Sequence, residues 1–230
     1  MLEKWNNYEA GNVKFIDNNR EFLYHKIFVD FIKDNPDINT VLEVGPGEMV
    51  EYPEIKKIRP LINFTVLETS IPFIEFINKN YPDVTILKGT IENFNYALIE
   101  YDLVRVCDVI EHTYPLFKTI KNLINCAKIF HITMFKWATG SFNKYDGPNT
   151  WSSQIRRDSN GVRYFSSEFP IMDVIAEIKK YGTIDSLKIV NQATGEIIDF
   201  DDYWLKTFKS VKVPQKSERG LRLVITGRKK

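Results

Sequence analysis

From residue 40 onward, short apolar runs alternate with amphipathic stretches, and this alternation narrows the fold more than any other feature of the chain. Residues 40–44, 64–67, 84–87, 103–107 and 129–135 are short apolar runs, rich in β-branched residues. Strands covered on both faces read as continuous apolar runs, and helices must carry the crossovers between them. The pattern therefore predicts a mostly parallel sheet sandwiched by helices. Residues 18–34 carry two helical rows, Leu23, Ile27, Phe31 and Tyr24, Phe28, Ile32, and Asp34-Asn35-Pro36-Asp37 stops that helix. Ser70 can cap a second helix, with Pro72 in its first turn and Ile74 and Ile77 on its buried side. Residues 115–125 and 166–181 supply two more, the last ended by Gly182. Residues 187–190 and 221–226 complete the sheet.

At 230 residues the chain suits one domain rather than two. Within 1–230, residues 1–38 form an N-terminal helical segment and 136–165 a long irregular loop. Residues 191–218 are a polar insertion before the last strand. Charge is uneven along this single domain. The formal net charge is +1, yet residues 206–230 hold nine basic groups and one acid, a local +8 that leaves −7 for the rest. The balance argues against a uniformly basic nucleic-acid binder but leaves room for a local anion-docking segment. Cys107 and Cys126 lack metal or disulfide spacing and read as buried thiols of a reducing compartment. The first residues have no apolar core of a secretion signal, and no run is long enough to span a bilayer. The expectation is a cytoplasmic protein.

Four segments carry the chemistry. The first strand runs into Glu43-Val44-Gly45-Pro46-Gly47-Glu48, a turn whose glycines let the backbone approach a ligand. A dinucleotide fingerprint would place a third glycine at position 50, which is Val50. Glu68 ends the second strand, where a carboxylate can accept hydrogen bonds from a ribose diol and repel a phosphate. Lys88-Gly89-Thr90-Ile91 follows the third strand, and a backbone amide there can meet an adenine edge. The fourth strand ends in Asp108-Val109-Ile110-Glu111-His112, a polar turn with two acids and a histidine at the sheet's ligand crevice.

Together these segments resemble the class I S-adenosylmethionine-dependent methyltransferases, in particular the group whose fourth strand runs into an Asp-Val-Leu-Glu-His-like turn. The resemblance spans about residues 20–190, with a last strand near 221–228. It implies a Rossmann-like, doubly wound, three-layer α/β/α fold. The sheet would have seven strands in the order 3-2-1-4-5-7-6, strand seven antiparallel. By position, Glu43, Gly45, Pro46 and Gly47 would face the methionine part of S-adenosylmethionine. Glu68 and Thr69 would stand at the ribose, Thr90 and Ile91 at the adenine, and Asp108 beside the methionine end. Where the family often has glycine two residues beyond Gly47, this chain has Met49, and the expectation is either a tighter loop or a reduced cofactor affinity. Pro53 predicts a short or displaced helix after it.

Methyl transfer needs alignment from the protein, and a hydroxyl acceptor also needs a base. His112 is the preferred base, since an unperturbed imidazole titrates near 6.5; the alternative is that it only shapes its turn. Glu111 is a base or an anchor. His131, inside the fifth strand, reads as a satisfied core residue, and His25 as exposed or packing. No spacing suggests a metal site. The loop 136–165 offers Trp137, Tyr145, Trp151, Arg156 and Arg163, a mixture suited to a sugar, a nucleotide or a phosphorylated small molecule. The reading is O-methylation of a small molecule or glycan. The alternatives are an RNA- or protein-directed enzyme docking through the basic segment, and a non-catalytic scaffold that kept the fold.

Overall fold

The computed structural model describes residues 16–17, 20–21, 23–95, 100–113, 115–135, 137–138, 154–157, 163–166, 169–192, 194–201 and 221–230. Its centre is an eight-stranded sheet: β1 (Thr40–Val44), β2 (Asn63–Glu68), β3 (Thr85–Lys88), β4 (Tyr101–Cys107), β5 (Ala127–Met134), β6 (Gly182–Asn191), β7 (Glu196–Asp199) and β8 (Leu221–Lys229). The spatial order is β3-β2-β1-β4-β5-β8-β6-β7. Strands β1 to β5 are mutually parallel, and β8 runs antiparallel to both β5 and β6. The antiparallel closing strand is as expected. The eighth strand, β7, is an addition: it pairs with β6 along the edge and comes from within the stretch read as a polar insertion. Its exposed Glu196 and Asp199 hide its strand character, as acids at an edge commonly do.

Helices cover both faces. On one lie α1 (Leu23–Asp34), α2 (Tyr52–Ile58) and α3 (Ile71–Asn80), and on the other α4 (Leu116–Asn125) and α5 (Ile171–Tyr181). Phe28, Ile32, Ile55 and Ile77 meet Val41, Phe64, Val66 and Leu103 on the first face. Ile120, Leu123, Ile124, Val174 and Ile178 meet Leu42, Val104, Phe130 and Ile132 on the second. Each such side chain contributes about 1.5–3 kcal/mol on burial, so two cores this size hold the layers without a disulfide. No helix among the described residues is long and apolar enough to cross a membrane.

Helix α2 is short, with Pro53 in its first turn, as Pro53 foretold. Helix α5 begins at Ile171, later than expected, after Phe169–Pro170 pairs in parallel with Trp137–Ala138. A residue before proline is pushed out of the helical region, which delays the start. The stretch 136–165 is also less irregular than its sequence reads. Gln154–Arg157 and Arg163–Ser166 form an antiparallel hairpin, whose second strand lies beside the 3-10 turn Ile110–His112.

Close approach of backbones shapes the join between β5, β6 and β8. A Cβ on Gly227 would stand 2.0 Å from Thr183 O and 2.4 Å from the Phe130 ring. Gly182 is crowded in the same way, by Arg228 O at 2.7 Å and Phe130 at 2.9 Å. The buried Phe130 ring thus fills the space two glycines leave on neighbouring strands.

Candidate active site

Parallel strands bring their C-terminal ends to one edge of the sheet, and there a cavity of about 570 Å3 opens. Gly45, Pro46, Gly47, Glu68, Thr69, Thr90, Ile91, Asp108 and His112, all singled out from the sequence, line it. The first loop leaves β1 through Gly45 (φ +62°) and Gly47 (φ +57°), and the Gly45 amide donates to Leu67 O at 2.9 Å. A Cβ on Gly45 would meet Val109 Cγ2 at 2.6 Å, so this loop and the turn after β4 touch only because that position has no side chain. Met49 has φ +51°, the conformation a glycine would take, while its fully buried side chain packs into the core beneath α1 and α2. The strain of a left-handed residue, roughly 1 kcal/mol, is thereby offset by burial.

Glu68 Oε1 accepts the amides of Thr69 and Ser70 at 2.7 and 2.8 Å, fixing the carboxyl at the start of α3. Burial raises its pKa, and the amides of Ser70, Thr69 and Gly47 oppose that rise. Thr90 and Ile91 sit in a turn anchored from α4, where Asn122 Nδ2 donates to Ile91 O at 2.8 Å. Asp108, at φ +53°, is held by Arg222 of β8, whose Nε donates to Oδ2 at 3.0 Å. The other oxygen, Oδ1, is buried and has no hydrogen-bond partner among the described residues. Burial raises the pKa of Asp108, with Arg222 acting against it. Strain of this kind, in a residue gripped from elsewhere, concentrates at functional sites.

Two expected site residues stand apart from the cavity. Glu43 does not line it: its side chain lies beneath α1, where Arg105 Nη1 donates to it. Glu111 is fully buried and accepts the Phe135 amide at 2.6 Å, so it ties the turn to the end of β5 rather than facing a ligand. His131 is buried as expected, between Phe28 and Phe31. Neither ring nitrogen has a hydrogen-bond partner among the described residues, so it is not the satisfied residue anticipated. Burial lowers its pKa to about 3. Arg156 and Arg163 lie on the hairpin beside the 3-10 turn, and Trp137 in its short strand. Tyr145 and Trp151 lie outside the described residues.

Several cavity residues escaped the sequence reading, namely Tyr24 and His25 of α1, Glu51 before α2, and Arg105 of β4. The sheet register sets Glu43, Arg105 and His131 side by side in one row on the face that α1 covers. Arg105 also donates through Nη2 to Glu51 and stacks 4.1 Å from the Phe28 ring centroid, and Glu51 in turn contacts His25 Nδ1. Burial would raise the pKa of Glu51, but Arg105 and His25 outweigh it and hold the carboxyl below its ordinary value. The signal was present in part: Glu43 and Arg105 are charges inside runs otherwise fit only for a core. Such charges demand partners.

The donors suit S-adenosylmethionine. Glu48, Glu51, Glu68, Glu92 and Asp108 outnumber Arg105 among the described lining residues, a balance matched to a cationic ligand, and the Asp108 oxygen that has no partner among the described residues offers an acceptor to an ammonium group. Among the described residues no cluster could hold a metal.

No family model matches the sequence, and a search of curated proteins gives no match. Solved structures do match. The N-terminal domain of EvdMO1 with S-adenosylhomocysteine (SAH) bound has a TM-score of 0.62 at 14% identity, over 90% of this chain and 81% of that one. The N-methyltransferase NodS from Bradyrhizobium japonicum WM9, also with SAH, has a TM-score of 0.56 at 14% identity, over 94% and 90%. The plantazolicin methyltransferase BpumL, in complex with a triazolic desmethylPZN analog and SAH, has 0.57 at 15%, over 90% and 84%. The chain has the fold of S-adenosylmethionine-dependent methyltransferases.

Proposed function

We propose that this chain is an S-adenosylmethionine-dependent methyltransferase acting on a hydroxyl of a small molecule or glycan. The observation that carries the reading is the cavity itself. Gly45-Pro46-Gly47, Glu68, Thr90-Ile91 and Asp108 come from four separate strand ends and converge on one acidic pocket. The similar folds solved with SAH and with a small-molecule analog support it.

In this reading Glu68 holds the ribose hydroxyls, already oriented by its amide donors. Thr90 and Ile91 frame the adenine, and Asp108 receives the ammonium of the methionine part. When bound, S-adenosylmethionine supplies a methyl group on a positively charged sulfur. The chain's own contribution is to align an acceptor with that methyl and to manage one proton. The acceptor enters at the mouth near His112 and the hairpin that carries Arg156 and Arg163.

Calorimetry with SAH tests the reading. Wild-type protein is expected to bind in the micromolar range, and Glu68→Ala at least thirtyfold more weakly, because the ribose loses a charged acceptor. Absence of binding to the wild-type protein would refute the proposal.

A further inference from the structure

Resting on that reading, we propose that Arg222 of β8 is a positioning residue that, acting through Asp108, sets the chain's preference for ligands carrying the methionine ammonium. Asp108 lines the cavity, and Arg222 is not among the described residues that do. Two neighbouring strands hold Asp108. Its amide donates to Thr133 O of β5 at 3.0 Å, and its Oδ2 accepts from Arg222 Nε at 3.0 Å. The Arg222 and Asp108 side chains are only 20% and 23% exposed, so water screens this pair far less than a surface bridge. One hydrogen bond occupies one of roughly four acceptor positions of a carboxylate, so the group keeps capacity for an ammonium.

The pleat of β8 brings the guanidinium to this place. Leu221, Leu223 and Ile225 pack into the core under α4 and α5, so the alternate positions Arg222 and Val224 fall on the α1 side, where Val224 meets Tyr24. The guanidinium lies over two rings there, 5.2 Å from the Tyr24 centroid and 5.1 Å from that of Phe135. Planar contacts of this kind fix an arginine in a way a lysine does not reproduce. Burial drives a carboxyl towards its neutral form, which no longer offers an ammonium a full charge. Burial does raise the pKa of Asp108, and Arg222 is the largest influence against that rise, ahead of His25 of α1 and Arg105 of β4. Tyr24 and Cys107 also lie within electrostatic reach of Asp108. Arg222 thus lowers the pH at which Asp108 loses its charge and fixes where the carboxylate stands. Glu68, Thr90 and Ile91 lie on other strand ends, so this effect falls on the amino-acid half of a ligand and spares the adenosine half.

Calorimetry with two ligands separates positioning from general support of the fold. SAH carries the ammonium, whereas 5′-methylthioadenosine keeps the adenosine and the sulfur but lacks the amino-acid part. Arg222→Gln is expected to weaken SAH about tenfold or more at pH 7 and to change methylthioadenosine affinity less than about twofold. The pH below which SAH affinity declines is expected to move upward by about one pH unit in Arg222→Gln, because the carboxyl then takes its proton sooner. Arg222→Lys is expected to return that pH towards the wild-type value while recovering only part of the affinity. On an Asp108→Asn background, adding Arg222→Gln is expected to alter SAH affinity less than about twofold, since no carboxylate remains to act through. Equal weakening of both ligands, unaltered SAH binding, or an SAH loss undiminished on the Asp108→Asn background overturns the proposal. A wild-type protein that binds neither ligand instead overturns the cofactor reading. Should Arg222→Gln fail to fold, Arg222→Lys decides by the same comparison: SAH is expected to weaken about threefold with methylthioadenosine unchanged, and an equal loss of both refutes the assignment.

Discussion

A methyl group at position 45 would lie 2.6 Å from Val109 Cγ2, on a residue whose φ is already +62°. Gly45→Ala is therefore expected to cost roughly 1–3 kcal/mol in urea unfolding and to weaken SAH binding at least tenfold in calorimetry, since the two loops must separate. His131 yields a different prediction. Its folded pKa, about 3, lies below its unfolded value, so the unfolded chain binds the extra proton first. Stability is then lost as pH falls from about 6.5 towards 3, by about 2 kcal/mol between pH 6.5 and 4.5. Glu43 acts in the opposite sense. Burial raises its pKa to about 7 against the pull of Arg105, so its contribution is present below its ordinary value and is lost as pH rises through 7. The comparison to make is thus between the wild-type protein and His131→Leu. The variant's urea midpoint is expected to fall less from pH 6.5 to 4.5. At this scale Gly45, Glu68 and Asp108 were legible because each stands at a fixed offset from a strand. His25 and Glu51 were not, because a helix and a loop meet there only after the sheet has formed.

The closing strands show what an element's sequence conceals. The register of β8 against β6 and β5 depends on Gly227, whose missing side chain admits Thr183 O and the Phe130 ring. Gly227→Ala is expected to destabilise the fold by about 3 kcal/mol or more, read as a lower thermal midpoint, while Gly195→Ala, at an open turn, costs roughly 1 kcal/mol. The five parallel strands could be read from apolar runs alone, because burial on both faces leaves no other composition. β7 could not, because an edge strand tolerates acids, nor could the hairpin at 154–166, where arginines interrupt the alternation. The start of α5 slipped where Pro170 acts, because a proline keeps the residue before it out of the helical region, whereas the short α2 was readable from Pro53.

Across the whole molecule the charge imbalance is partly closed by contact. Of the nine basic groups in residues 206–230, Arg222, Arg228 and Lys229 pair with Asp108, Asp185 and Glu100, while Lys230 Nζ donates to Lys179 O. Lys206, Lys209, Lys212, Lys216 and Arg219 lie outside the described residues. Reversing Lys209, Lys212 and Lys216 to Glu is expected to leave SAH affinity within twofold by calorimetry, because the described residues that line the cavity come from other segments. Loss of low-salt RNA binding in a gel-shift assay with that variant would instead favour the docking alternative. The position of β8 has one more consequence. It lies between β5 and β6 yet leaves the ribosome after both, and it also delivers the Arg222 that grips Asp108. During synthesis β5 therefore waits with an open edge, and a nascent chain lacks the Arg222–Asp108 contact at the cavity until β8 has emerged and slotted in. Ligand capture by an elongating polypeptide would mark the moment at which β8 inserts.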